Sequence, residues 1–117
     1  MSETQVNALP QWKDLQEHAA EMNQSQRHLK HLLQDRERLA ACSLRGGGLF
    51  YDHSRQRVVS ETMALLYDLA EARQVKARFA QMVSGGIVNP SEGRAALHTA
   101  CRRFDGQPVW VGQQDVM

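Results

Sequence analysis

The sequence predicts a mainly α-helical chain with minor β structure. Apolar residues recur three or four apart over 12–22, 63–70 and 75–83, the spacing that lines one face of a helix. Short bulky or β-branched runs at 49–51, 57–59 and 109–111 are too brief for helices and suit strands. Glycine groups at 46–48 and 85–86 punctuate the pattern, because glycine carries a backbone-entropy cost that element interiors seldom tolerate.

Residues 1–9 show no periodicity and are expected to be a loose tail, with 10–117 forming a single, mostly helical segment. Pro10 has the backbone angle suited to a first helical turn, and a helix over 10–22 follows with Trp12, Leu15, Ala19 and Met22 on one side. That side requires a partner surface. Polar residues 23–25 precede a second helical piece carrying Leu29, Leu32 and Leu33, and Asp35 is expected to cap a short third piece containing Leu39. Gly46, Gly47 and Gly48 end this broken helical region. Leu49, Phe50 and Tyr51 then form a strand, residues 52–56 a turn, and Arg57, Val58 and Val59 a second strand or extended return.

Ser60 is expected to cap the next helix, whose broad apolar stripe comprises Met63, Leu65, Leu66, Leu69 and Ala70. A further helix carries Val75, Phe79, Met82 and Val83 and stops at Ser84, Gly85 and Gly86. Ser91 is expected to cap a last helix with Leu97, Ala100, Cys101 and Phe104 as its inward row, closed by Gly106 and Pro108. Val109, Trp110 and Val111 form a short strand before a turn at Gly112.

Composition narrows the function classes. With 117 residues the chain fits one domain, and 14 Lys plus Arg against 13 Asp plus Glu leave a formal net charge of +1, too little to hold a nucleic-acid backbone. Two cysteines, Cys42 and Cys101, make neither a disulfide framework nor a zinc or redox motif and suit a reducing cytoplasm. No apolar run approaches the roughly 20 residues that span a bilayer, and the first residues lack the pattern of an export signal. Nucleic acid and membrane are therefore not expected partners.

The candidate chemical groups have plain readings. Gly46, Gly47 and Gly48 precede a strand and lack the Lys and hydroxyl residue of a phosphate loop, so they read as a connector. His28, His31 and Asp35 would share a face of one continuous helix, yet zinc takes three or four protein ligands and two histidines seldom suffice; a solvated polar face with a His31 to Asp35 contact is the reading. An imidazole is a common general base and His98 follows Arg94 by one turn, but spacing supplies no nucleophile or carboxylate partner, so both are read as buried structural hydrogen-bonding groups. Glu92 is placed to pair with Arg94 or to sit in a helical first turn. Cys42 and Cys101 are read as small apolar side chains, and Trp12, Phe79, Phe104 and Trp110 as packing anchors or, if exposed together, as a docking patch.

One segment reaches beyond general reading. Asn89-Pro90-Ser91-Glu92-Gly93-Arg94-Ala95-Ala96-Leu97-His98-Thr99-Ala100-Cys101-Arg102 resembles the Asn-x-Thr-Glu-x-Arg-Ala-x-Leu-His-x-Ala-Leu-Arg segment near the beginning of glucose-6-phosphate isomerases. Leu49-Phe50-Tyr51-Asp52-His53-Ser54-Arg55 upstream and Pro108-Val109-Trp110-Val111-Gly112-Gln113-Gln114-Asp115-Val116-Met117 downstream keep the family's order at close to its spacing. Departures are small: Ser91 replaces Thr and keeps the capping hydroxyl, Cys101 replaces Leu, and His53 stands where Tyr is common.

The resemblance implies the helical N-terminal segment of a longer enzyme whose chemistry resides on sugar-isomerase α/β/α domains. It implies a sugar phosphate substrate, a homodimer, a cytoplasmic location and a place in glycolysis and gluconeogenesis. In such enzymes a glutamate moves a proton between the first and second carbons, a histidine and a lysine assist ring opening, and Ser/Thr-rich loops hold the phosphate. None of these groups is assigned to a residue here, so no catalytic, cofactor-binding or metal residue is expected, no cofactor is implied, and the segment alone is expected to be inactive. The competing expectation is a self-contained helical module that binds another protein along an apolar groove. A small metal protein built on His28 and His31 is a third.

Overall fold

The computed structural model describes residues 5–117, and among these the chain is mainly helical with minor β structure. Two compact units divide it, Met1–Leu69 and Ala70–Met117.

In the first unit, Val6–Ala8 form a 3-10 turn and α1 spans Pro10–Met22, with Pro10 in its first turn as the sequence predicts. Of the tail expected over 1–9, residues 1–4 lie outside the described residues. The inward face of α1 is marked by His18 and Met22, both buried. A 3-10 turn at Ser25–Arg27 leads into two short helices, α2 (Leu29–Leu32) and α3 (Arg38–Ala41). Asp35 does not cap α3, whose flanking residue is Glu37; its Oδ1 accepts the Glu37 amide at 2.9 Å in the turn that leads into that helix.

The hairpin corrects the sequence reading. β1 (Ser43–Gly46) pairs antiparallel with β2 (Leu49–Asp52), in a register that sets Leu44 opposite Tyr51 and Gly46 opposite Leu49. Gly47 and Gly48 make the two-residue connection at φ values of 56° and 77°. Two positive φ values in succession are what a tight hairpin turn needs, because that turn's twist matches the strands' own. The glycines therefore join two strands where a break before one strand was expected, and the partner of 49–52 lies upstream.

The strand expected at 57–59 does not form. Its backbone is satisfied in another way: the Arg38 guanidinium donates from Nε to the Ser54 carbonyl at 2.7 Å and from Nη2 to the carbonyls of Gln56 at 2.7 Å and Val58 at 3.1 Å. A segment whose carbonyls are held by a side chain has no need of a ladder partner. Arg57 pins the same segment from outside, donating to the Arg27 and Gln24 carbonyls.

That segment delivers the chain into α4 (Ser60–Ala72). Ser60 is the first helical residue and not the cap; the terminus is closed by Thr62, whose Oγ1 accepts the Val59 amide at 3.1 Å. This is the return half of a capping box with Thr in the place usually taken by Glu or Gln. Gln74, at a left-handed φ of 53°, separates α4 from α5 (Val75–Val83).

In the second unit α5 stops at Ser84 and Gly85, as expected. Gly85 is required twice over, by its φ of 83° and because a Cβ there would lie 3.0 Å from the Trp110 carbonyl oxygen and 3.1 Å from Val111 Cγ2. β3 (Trp110–Val111) pairs antiparallel with β4 (Gln114–Asp115), confirming strand at 110–111. Buried Val109 is fixed beside it: its amide donates to Asp115 Oδ1 at 3.2 Å and its carbonyl accepts from Val116 at 2.9 Å.

The helix expected after Ser91 is absent. Asn89, not Ser91, organises the region, with its Oδ1 accepting the Ser91 amide and hydroxyl, and regular structure returns only as a 3-10 turn at Ala100–Arg102. Gly93 adopts a φ of 62°, outside the helical range. A short amphipathic helix is marginal unless its apolar side is covered. Here the expected row is not: Ala100 is buried, but Cys101 is exposed and Phe104 is 95% exposed.

Arg38 is only 7% exposed, and removing it orphans the buried Ser54 carbonyl and leaves a gap where its stem lies. Arg38→Ala is expected to lower stability by about 2–4 kcal/mol. Arg36→Ala, at an exposed neighbour, should stay within about 0.5 kcal/mol. Urea unfolding of the two variants checks this.

Candidate functional site

The groups singled out by sequence fall in different places. Gly46 belongs to β1 while Gly47 and Gly48 form the hairpin turn with open space around them, which leaves no cradle for a phosphate. His28 caps α2, its Nδ1 accepting the Lys30 amide at 3.2 Å. α2 ends at Leu32, so His28, His31 and Asp35 do not share one continuous helical face. His31 and Asp35 instead line an open depression of about 460 Å³ with Arg27, Arg38, Cys42 and His53.

Arg94 and His98 are not buried. Arg94 is 82% exposed and lies 3.9 Å from Glu92, the pairing foreseen for that glutamate. His98 is exposed too, and it is its backbone carbonyl that is engaged, by Arg102 Nη1 at 3.2 Å. Without the expected helix neither side chain has an interior to enter. Cys42 is buried as expected, whereas Cys101 is exposed. The aromatic anchors divide: Trp12 is half-buried, while Phe79, Phe104 and Trp110 are exposed.

The polar constellation that the structure does build was missed. His18, 5% exposed, brings its Nε2 to within 2.7 Å of Thr62 Oγ1, joining α1 to the first turn of α4. Its other nitrogen, Nδ1, is buried without a hydrogen-bond partner and faces two exposed carboxylates, Glu21 Oε2 at 3.7 Å and Glu61 Oε2 at 3.9 Å. Local sequence explains the convergence. His18 follows Leu15 by three residues and precedes Met22 by four, so it falls on the inward face, and Glu21 follows it by one turn. Glu61 and Thr62 occupy the opening turn of α4, where free amides favour both a carboxylate and a capping hydroxyl. The spacing of His18 was legible; its contact with Thr62, 44 residues away, was not.

A second polar cluster closes the hairpin. The Ser54 amide donates to Asp52 Oδ1 at 2.8 Å, and Ser54 in turn offers its carbonyl to Arg38. Bonds from the Ser54 side chain and then its amide hold the Asp52 carboxyl below the ordinary aspartate range, with Arg55 and His53 adding in the same direction. Asp105 is lowered likewise, by Arg103 and then by the Gln107 amide. His53 stacks on Tyr51 with ring centroids 5.5 Å apart.

Chemically, the His18 cluster gathers one imidazole nitrogen and two carboxylates between two helices. Comparison with known proteins gives the wider setting. A family model described as phosphoglucose isomerase matches residues 52–117. A glucose-6-phosphate isomerase of Desulfosudis oleivorans is 44% identical over 116 residues, covering 99% of this chain and 21% of the relative. The cytosolic A glucose-6-phosphate isomerase of Oryza sativa subsp. japonica is 42% identical over 92 residues, 79% of this chain and 16% of the relative. One from Alteromonas mediterranea is 37% identical over 113 residues, 96% of this chain and 20% of the relative. The chain thus spans about one fifth of the length of these curated relatives.

Two outcomes follow from the geometry. Thr62→Val removes the cap of Val59 and the partner of His18 together and should cost about 1–2 kcal/mol in thermal or urea unfolding, while Thr62→Ser should retain most of that stability. For Asp52 the folded pKa is depressed, so its stabilisation is complete above the ordinary aspartate value of about 3.9 and fades as pH falls through the lower folded value. An NMR titration should show the Asp52 midpoint rising towards the ordinary value in Ser54→Ala.

Proposed function

The chain belongs to the phosphoglucose isomerase family, and on that premise we propose that it is the N-terminal portion of an enzyme that interconverts glucose 6-phosphate and fructose 6-phosphate. The observation that carries this reading is the similarity that runs through 99% of this chain and only 21% of the Desulfosudis oleivorans isomerase. The substrate is a sugar phosphate, the reaction an aldose–ketose isomerisation without a cofactor, and the setting glycolysis and gluconeogenesis in the cytoplasm. A homodimer is the working form of the longer protein.

The reaction moves a proton between adjacent carbons through an enediolate, which demands a base of near-neutral pKa and charge stabilisation of the oxyanion. In this proposal those groups lie in other parts of the longer protein, and residues 10–117 act as its helical support, inactive alone. The exposure of Phe79, Phe104 and Trp110 supports that role, since aromatic side chains of this size are more usually covered.

A coupled assay with fructose 6-phosphate tests the reading. The purified 117-residue chain should give no turnover above the blank, while a polypeptide in which this chain opens a full-length isomerase should be active. Turnover by the isolated chain at a rate near that of the full-length enzyme would contradict it.

A further inference from the structure

We propose that His18, Glu21 and Glu61 form a binding site for one divalent metal ion of the zinc class, linking α1 to the start of α4. One ligand atom from each of the three lies within 4.8 Å of the others. The site does not rest on clustered acidic groups alone. His18 is 95% removed from solvent, and its Nδ1 is buried, lacks a hydrogen-bond partner and points at the two carboxylates.

The distances favour an ion over direct pairing. At 3.7 and 3.9 Å the carboxylate oxygens are too far from Nδ1 for a hydrogen bond. Two ligands of one tetrahedral ion, with bonds of about 2.1 Å, sit roughly 3.4 Å apart. Closing that gap needs only a few tenths of an ångström from Glu21 and Glu61, whose side chains are exposed.

Thr62 supplies the matching outer partner. Its Oγ1 accepts the Val59 amide and retains a second lone pair for a proton on His18 Nε2. In that tautomer the Nδ1 lone pair is free, and two anionic oxygens facing a bare lone pair repel it unless a positive charge lies between them. A hydrogen bond from the distal nitrogen that fixes the ring is also the usual support of a metal-bound histidine. One imidazole with two carboxylates is a donor set for a borderline first-row divalent ion, and the solvent-facing side leaves a position for water.

The test is calorimetric titration of the 117-residue chain with Zn2+. One ion per chain is expected, with Glu21→Gln and Glu61→Gln each weakening affinity about tenfold or more. His28→Asn and His31→Asn should bind as the parent does. NMR supplies a readout that a purely structural His18 would not move: saturating Zn2+ should shift the 15N resonance of Nδ1 while Nε2 keeps its proton. Absence of stoichiometric binding, parental affinity in the Glu21→Gln/Glu61→Gln double variant, loss of binding in His31→Asn, or an unmoved Nδ1 resonance would each overturn the proposal.

Discussion

The carbonyl oxygens of Ser54, Gln56 and Val58 converge on the guanidinium of Arg38, and the arrangement of the first unit depends on that convergence. The apolar interior is thin: among the described residues only Met22, Cys42, Ala100 and Val109 are buried apolar side chains, and no large one is wholly enclosed. A buried guanidinium is costly unless its donors are met. Here Nε and Nη2 are met by backbone carbonyls, so one side chain and one irregular segment satisfy each other. The fork of Arg donors suits this, since a single ammonium cannot present the same planar set.

The consequence passes along the chain. Fixing residues 54–58 fixes the approach to α4, where Thr62 receives the Val59 amide and meets His18 from α1. Arg38 on α3 and His18 on α1 therefore act on the same short stretch from different helices. The hairpin is tied in by the Ser54 amide on Asp52 and by the His53 amide on the Cys42 carbonyl. Polar contacts between distant residues, more than continuous apolar packing, define how these elements meet. The exposed aromatic groups of the second unit complement this picture, because in the proposed isomerase they would be covered by chain that lies elsewhere.

Signals that act within a turn or two of themselves are legible at the ends of α1 and α5, whereas contacts between distant residues are not. The bounds of α1 follow from Pro10 and the spacing of Leu15 and Met22, and the end of α5 from Ser84 and Gly85, all of which act within a turn or two of themselves. The hairpin was half legible. Leu49 to Tyr51 reads as strand, but choosing between a partner before Gly47 and one after Ser54 needs the φ values of the two turn glycines and the pull of Arg38 on 54–58. Arg38 itself sits in an Asp-Arg-Glu-Arg run that looks like solvated surface, so nothing local marks it as buried. The stretch after Ser91 failed for the opposite reason: its helical periodicity is real, but periodicity yields a helix only where a surface covers it. The family signature there was informative about ancestry while its side chains, Arg94 and His98, stand in solvent.

The dependence on Arg38 is tested most directly by amide hydrogen exchange at Val59 and His53 in Arg38→Met, which keeps the bulk of the stem and deletes the donors. If the guanidinium organises the segment, protection at Val59 falls sharply while amides in the middle of α1 keep theirs. Unchanged protection at Val59, with the variant folded, would show that the segment holds its course without Arg38 and would contradict the account.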